Sequence, residues 1–263
     1  MLKLYHGANS VCSIKVRIVL EEKNIPWESN HVNLPKGEQF SEKFIALNPR
    51  SFVPVLVHND FILRESSVIC EYVDQLSDEN PLTPTSAKDR AITRLWSMQC
   101  LEYHDSVNTL TFASYQRSML LEKPKDQLEK RWKAMPDQIR ARKIQDLVEN
   151  GKSSVYVPVA LQCMSRLAKE IDHELENSDW MIGDYYSLAD ALVTPYFFRT
   201  ECLGLAGLWE SHYPRTTEWY KRIKQRPSFE AAINPWLNND EMKKIRQSGQ
   251  RTFLMNSKFS NYL

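Results

Sequence analysis

Asn9-Ser10-Val11-Cys12-Ser13-Ile14-Lys15 decides how the chain is read, because it joins a short apolar strand, Leu2-Lys3-Leu4-Tyr5, to an amphipathic run ending at Asn24. Strand, tight polar turn and helix start follow one another here. The first backbone N–H groups of such a helix have no partner within it and point at whatever occupies the turn, so an anion is stabilised there. Ser10 and Ser13 are both suited to cap the helix, and Cys12 lies between them in the half-positive field of its N-terminus, with Lys15 and Arg17 close in sequence. A thiolate is the natural guest of this turn. The same residues also read without chemistry: serine before an apolar-periodic run is an ordinary cap, and a single cysteine is a small buried hydrophobe.

A chain of 263 residues can form one large domain or two ordinary ones, each with a sizeable core. Thirty-four basic against thirty-three acidic residues leave no electrostatic footprint for nucleic acid or an anionic membrane, so the expected partner is a small molecule. The cysteines are Cys12, Cys70, Cys100, Cys163 and Cys202. Their odd number and lack of C-x-x-C spacing argue against a disulfide framework and against zinc, and fit a reducing cytosol. The chain enters its first strand directly after Met1 with no signal-peptide pattern, and no apolar run approaches membrane-spanning length. The six histidines show no ligand spacing, and neither G-x-G-x-x-G nor a P-loop is present, so neither metal nor nucleotide is expected.

Trp27 to Asn33 reads as a second strand entered through Pro26, and 36–47 as a polar loop with a short helix that stops before Asn48-Pro49. Phe52-Val53-Pro54-Val55-Leu56-Val57 carries a proline inside strand pattern. It is either a strand-start proline or a special turn; were the bond cis, Val53 would keep its N–H and C=O free for an extended, peptide-like ligand. Asn59-Asp60 signals a hairpin between 54–57 and 61–63. Arg64-Glu65-Ser66-Ser67 then opens a helix with Val68, Ile69, Tyr72, Val73 and Leu76 as its apolar members. Glu65 can receive an ammonium and Ser66 a carboxylate, or the pair can be an ordinary helix start with an acidic residue.

Beyond the proline-punctuated stretch 78–85 the strand signals almost vanish. Ile92, Leu95, Trp96, Cys100 and Tyr103 recur at helix spacing, followed by Val107, Leu110, Thr111 and Ser114. The charged segment 122–150, with Pro124 and Pro136, reads as two helices bent over or extended from the domain, and 151–154 breaks it. A long helix with Val159, Cys163, Leu167, Ile171 and Leu175 on one side comes next. Ser187 and Asp190 form a capping box for 188–202, which is apolar on nearly every side and so belongs at a buried centre. Trp219 to Gln225 reads as another short helix before Pro227, and the polar tail from Asn238 as loosely held.

In this order and spacing the elements resemble a cytosolic glutathione transferase over essentially the whole chain. The resemblance implies a thioredoxin-like α/β domain at 1–78, a linker at 79–87, and an all-α domain at 88–263 that carries a site for a hydrophobic substrate, the whole forming a homodimer. It implies glutathione as cosubstrate. The family's catalytic position lies five residues after the aromatic residue of the first strand; counting from Tyr5 reaches Ser10, which excludes the tyrosine-type classes. Val53 is then implied to hold the cysteinyl backbone of glutathione, Glu65 and Ser66 its γ-glutamyl end, and Gln39 its glycyl end. Several relatives place a lysine before the Val-Pro turn; this chain has Phe52, which puts one contact to the glycyl carboxylate in question.

The run Ser10 to Lys15 resembles that of tetrachlorohydroquinone reductive dehalogenases, and the 122–150 insertion is similar to that of glutathione-dependent β-etherases. The first similarity implies a second catalytic sulfur at Cys12; the alternative is a Cys12 turned inward as helix packing. A Ser10 hydroxyl donating to the glutathione sulfur would favour the thiolate, which attacks an electrophilic carbon by aromatic substitution, conjugate addition or aryl-ether displacement. Cys12 would add disulfide exchange and so reductive dehalogenation. Thr111, Phe112, Tyr115, Arg117, Tyr196 and Trp236 are the candidates to line the electrophile pocket. The competing class is a glutathione-binding or regulatory protein of the same fold without turnover.

Overall fold

Leu2 and Leu4 are buried while Lys3 faces out, the period-two alternation that makes Leu2–His6 the strand β1. The computed structural model describes residues 1–253, and in it β1 pairs on both sides. Strand β2 (Trp27–His31) runs parallel to it, and β3 (Val55–His58) and β4 (Phe61–Arg64) form an antiparallel hairpin, giving the order β2-β1-β3-β4. Helix α1 (Val11–Glu22) makes the crossover between the parallel strands, α2 (Glu42–Leu47) lies in the β2–β3 connection, and α3 (Ser66–Asp74) returns against α1. This is the thioredoxin-like order of elements. Strand β2 stops at His31 rather than Asn33, because the Asn33 side chain accepts from the Lys36 N–H and turns the chain instead.

Helix α1 is not amphipathic in place. Ser13 through Leu20 are all buried, since α3 packs on one side and α9 (Leu188–Cys202) and α12 (Pro227–Ile233) on others. Lys15 and Arg17 are therefore enclosed, and each must find partners. Arg17 donates to Ala232 O (2.7 Å), Gly7 O (3.2 Å) and Ala8 O (3.0 Å), tying the turn after β1 to α12. It also meets His6 Nδ1 at 3.0 Å; burial, then the Arg17 charge, push His6 down to about 3, so its ring is neutral and accepts.

The remaining elements are helical. α4 (Ala87–Thr111) passes through a wide π-helical turn, Phe112–Gln116, into α5 (Arg117–Leu121). The charged segment forms α6 (Lys125–Ala134) and α7 (Gln138–Asn150), as its pattern indicates. These enclose a small core of Leu120, Met135, Ala141, Ile144 and Val148, against which Phe40 and Phe112 pack. Then follow α8 (Tyr156–Glu174), α9, α10 (Gly207–Glu210), α11 (Pro214–Lys224), α12 and α13 (Asn239–Phe253). Helix α9 is enclosed as expected, and its capping box forms: Asp190 accepts from the Ser187 N–H and hydroxyl, and also from Met181 N–H and the Trp219 indole.

Three more expectations change. Leu95 and Val159 face outward, 60 % and 65 % exposed, because the buried stripes run through Trp96, Cys100, Tyr103 and Val107 on α4 and through Ala160, Cys163, Leu167 and Ile171 on α8. The helix expected from Trp219 begins earlier, at Pro214, whose fixed φ suits a first helical turn. The polar tail is a seated helix with Ile245, Gly249 and Phe253 buried along one face. The last part of the expected helical domain, 254–263, lies outside the described residues.

Candidate active site

Ser10 is the N-cap of α1 with extended backbone (φ −88°, ψ 122°), and its Oγ accepts from the Ser13 N–H at 3.3 Å. Ser13, the other cap candidate, is buried instead and accepts from Gly7 N–H at 3.1 Å, which closes the turn. The Ser10 hydroxyl donates no hydrogen bond among the described residues, so its proton is free to be given to an incoming group. Asn9 is held firmly in front of it. Its carbonyl accepts from Arg199 Nη2 at 2.8 Å, its side-chain oxygen accepts from the same nitrogen, and its Nδ2 donates to Glu241 at 3.0 Å.

Cys12, one residue into the first turn of α1, meets a histidine. Its sulfur lies 3.4 Å from His104 Nδ1 and 3.9 Å from Nε2, across from α4. One turn further along α1 the buried Lys15 ammonium donates to Tyr196 Oη (2.8 Å) and Ser67 Oγ (3.2 Å), and no carboxylate pairs with it among the described residues. Burial alone would raise the thiol, but the charge and hydrogen bond of His104, then Lys15 and the Ser66 hydroxyl, outweigh it and bring Cys12 down to about 6. Cys70, also near Lys15, is pushed up by burial and is an inert core thiol. His104 has no metal-ligand spacing to mark it in the sequence. Its signal was helical: it lies four residues after Cys100 and three before Val107, on the face that turns inward.

Of the residues expected to hold glutathione, Ser66 reaches this pair through its hydrogen bond to Cys12. Glu65 caps α3 with φ 69°, and its half-exposed carboxylate meets Arg50 Nη1 at 2.8 Å; Ser66 opens the helix. The Val53-Pro54 bond is cis, β3 begins only at Val55, and no backbone hydrogen bond engages Val53 among the described residues. Gln39 is buried, and its Oε1 has no partner among the described residues. Phe52 lies under two guanidiniums, Arg50 at 5.4 Å and Arg140 of α7 at 4.4 Å, while Arg131 of α6 lies 5.7 Å over Phe40. Burial pulls both Arg131 and Arg140 below their usual range. The charged insertion thus lies over Phe40 and Phe52, with Arg140 close enough for its charge to act on Cys12.

The six pocket candidates separate. Phe112 packs against both the main core and the small core of α6 and α7. The Tyr115 hydroxyl donates to Glu241 at 3.2 Å, the same carboxylate oxygen that holds Asn9, and burial followed by that carboxylate pushes it up to about 12. Thr111 donates to Val107 O within its own helix. Tyr196 is wholly enclosed, donating to Cys100 O at 3.0 Å, so it supports Lys15 from below and cannot line an open pocket. Arg117 turns toward Gly151 and Glu149 O. Trp236 packs on His6 (4.4 Å between ring centres) and under Arg17, which donates to the carbonyls of Gly7 and Ala8.

Comparison with known proteins agrees with this architecture. Residues 9–76 match the N-terminal domain of glutathione S-transferases and residues 134–227 their C-terminal domain. The chain is 25% identical to "Glutathione S-transferase TCHQD" of Arabidopsis thaliana, over 90% of this chain and 91% of that one. It is 26% identical to the tetrachloro-p-hydroquinone reductive dehalogenase of Sphingobium chlorophenolicum, over 88% of this chain and 95% of the relative. The crystal structure of the β-etherase LigF from Sphingobium sp. strain SYK-6 superposes with a TM-score of 0.80 at 25% identity, covering 89% of this chain and 99% of that one. With both domains of one family matched in order, and the sheet and helices arranged as that family requires, the chain belongs to the glutathione S-transferases.

Proposed function

We propose that this protein activates the thiol of glutathione for attack on a hydrophobic aromatic electrophile, with Ser10 and Cys12 dividing the chemistry. The observation that carries the reading is the shared first turn of α1: a Ser10 hydroxyl with its proton uncommitted, and two residues on a Cys12 thiol drawn toward its thiolate. Ser10 donates to the glutathione sulfur and stabilises it as the thiolate, and the field of the helix N-terminus acts with it. Glutathione lies with its cysteinyl backbone on Val53, its γ-glutamyl end on Glu65 and Ser66, and its glycyl end toward Gln39. Arg140, stacked on Phe52, supplies the cation for the glycyl carboxylate that Phe52 itself cannot.

The electrophile is an arene bearing a halide or aryl-ether leaving group, which enters beside Phe112 and Tyr115. The names of the dehalogenase and the β-etherase support this class. In substitution, a bond forms between the glutathione sulfur and the ring carbon, and the leaving group departs with its electron pair. On a halogenated hydroquinone Cys12 then acts: its thiolate attacks the sulfur of the glutathionyl arene, and the electrons of the carbon–sulfur bond pass to the ring carbon, which takes a proton. A mixed disulfide between Cys12 and glutathione remains, and a second glutathione thiolate resolves it, giving glutathione disulfide and the free Cys12 thiolate.

Purified protein incubated with glutathione and a generic aryl halide tests the reading. Conjugate should form, and Ser10→Ala should lower kcat/KM about a hundredfold, the scale for losing one donor to a developing anion. Absence of turnover by the wild-type protein, with glutathione still bound, would favour a binding or regulatory protein instead. A homodimer is proposed as well, supported by the apolar face where Leu95, Met98 and Leu101 of α4 stand exposed beside the Arg94–Glu71 bridge to α3. A reducing cytosolic compartment is proposed for a chain whose cysteines are all free.

A further inference from the structure

We infer that His104 is the acid–base partner of Cys12, taking the thiol's proton through Nδ1 and returning it when the reduced arene leaves. The inference rests on the reading of Cys12 as the second sulfur and names the group that serves it. The sulfur and the imidazole come from opposite sides of the site: Cys12 from the first turn of α1, His104 from the middle of α4. Among the described residues the Cys12 sulfur is the only hydrogen-bonding partner of the His104 ring, so the histidine is not committed to holding α4 in place.

The groups that face the sulfur explain why a histidine is needed there. Lys15 on α1 and Arg140 on α7 are cations, Ser66 on α3 is a hydroxyl, and Cys70 on α3 and Tyr196 on α9 are enclosed below. Lys15 and Arg140 favour the thiolate but cannot serve the proton. Lys15 is pinned between Tyr196 and Ser67, and a guanidinium does not give up its proton near neutral pH. An imidazole takes and returns a proton in that range. The balance closes without a further reagent. The Cys12 proton passes to His104 as the thiolate forms; the thiolate displaces the arene from the glutathione sulfur; the ring carbon, now holding the carbon–sulfur electron pair, receives that proton from His104. The second glutathione gives its proton to solvent and enters as thiolate, Cys12 leaves as thiolate, and one proton taken back from solvent restores the starting Cys12–His104 pair.

The test is the pH profile of Cys12 alkylation by iodoacetamide, located by peptide mass spectrometry, in the wild-type protein, His104→Gln and His104→Asn. The wild-type profile should have its midpoint near pH 6. In both variants the midpoint should rise by about one unit or more, so that alkylation at pH 5, below both midpoints, falls about tenfold, since one unit is a factor of ten in thiolate there. With a halogenated hydroquinone, the ratio of glutathionyl adduct to reduced product should rise about tenfold in the variants and fall back when imidazole is added to the buffer. Superimposable alkylation profiles in all three proteins, with no change in that ratio, would overturn the inference and leave Lys15 and the helix field as the whole cause. The alkylation profile needs no turnover, so it decides the pairing even if the transferase reading fails in the aryl-halide assay.

Discussion

The guanidinium of Arg140 lies 4.4 Å from the centre of the Phe52 ring, which places a cation from the α6–α7 insertion one residue before the Val53-Pro54 turn. A lysine at position 52 would have carried that charge on its own side chain. Here a phenyl face carries it, and the charge arrives from nearly ninety residues downstream. Arg140→Ala should therefore raise KM for glutathione about tenfold, the scale of one hydrogen bond to a charged group, with a smaller effect on kcat. Glutathione amidated at its glycyl carboxylate should bind both proteins equally. Steady-state kinetics with the two thiols checks this.

Glutathione should stabilise the folded chain, because a ligand that binds only the native state adds RT ln(1 + [L]/Kd). At about one hundred times Kd this is about 2.7 kcal/mol and should raise the melting temperature by several degrees. Glu65→Ala should largely erase the shift. A wild-type melting curve unmoved by millimolar glutathione would remove the binding assignment.

The depressed Cys12 thiol links stability to pH. Its ordinary value of 9.0 falls to about 6 in the folded chain, so the unfolded state binds the extra proton between those limits. The contribution is fully present above about pH 9, diminishes as pH falls toward 6, and is absent below. Urea unfolding of wild type and Cys12→Ala across pH 5 to 9.5 should show a stability difference that is flat at the acid end and grows in favour of wild type between 6 and 9. A difference constant over the whole range would contradict the depressed thiol.

Gly249 is where α13 crosses the end of α9. A Cβ built there would lie 2.1 Å from the carbonyl oxygen of Leu203, a backbone atom that cannot rotate aside. Gly249→Ala should cost about 3 kcal/mol through overpacking and should also loosen Glu241, which holds Tyr115 and Asn9. Chemical denaturation measures the first effect. The second should appear as a higher KM for the electrophile.

The α/β half was legible because each of its signals is local. Asn59-Asp60 makes its own turn, Ser10 caps its own helix, and Val53-Pro54 interrupts its own strand. Of the residues read from those signals, Ser10 caps the turn that carries Cys12, and the Ser66 hydroxyl bonds its sulfur. What the sequence hid depends on contacts far apart in the chain. His104 and Arg140 look like ordinary members of charged helices until α4 brings one to Cys12 and α7 lays the other over Phe52, and Lys15 looks solvated until α3 and α9 close on it. Tyr196 shows the same limit: an aromatic ring on a helix fits a pocket or a core equally well, and only packing encloses it. The segment from Asn238 is polar on average, which hides that its buried residues, Ile245, Gly249 and Phe253, share a single stripe.

The division of labour between Ser10 and Cys12 is tested most directly by measuring, for Ser10→Ala and Cys12→Ala, both the pH–rate profile of aryl-halide conjugation and the product formed from a halogenated hydroquinone. Ser10→Ala should raise the apparent pKa of the bound glutathione thiol and slow both reactions. Cys12→Ala should instead accumulate a glutathionyl adduct, visible by mass spectrometry, with its loss in reduction far exceeding any loss in conjugation. Conjugation abolished by Cys12→Ala and retained by Ser10→Ala would contradict the account and make Cys12 the residue that activates or carries glutathione.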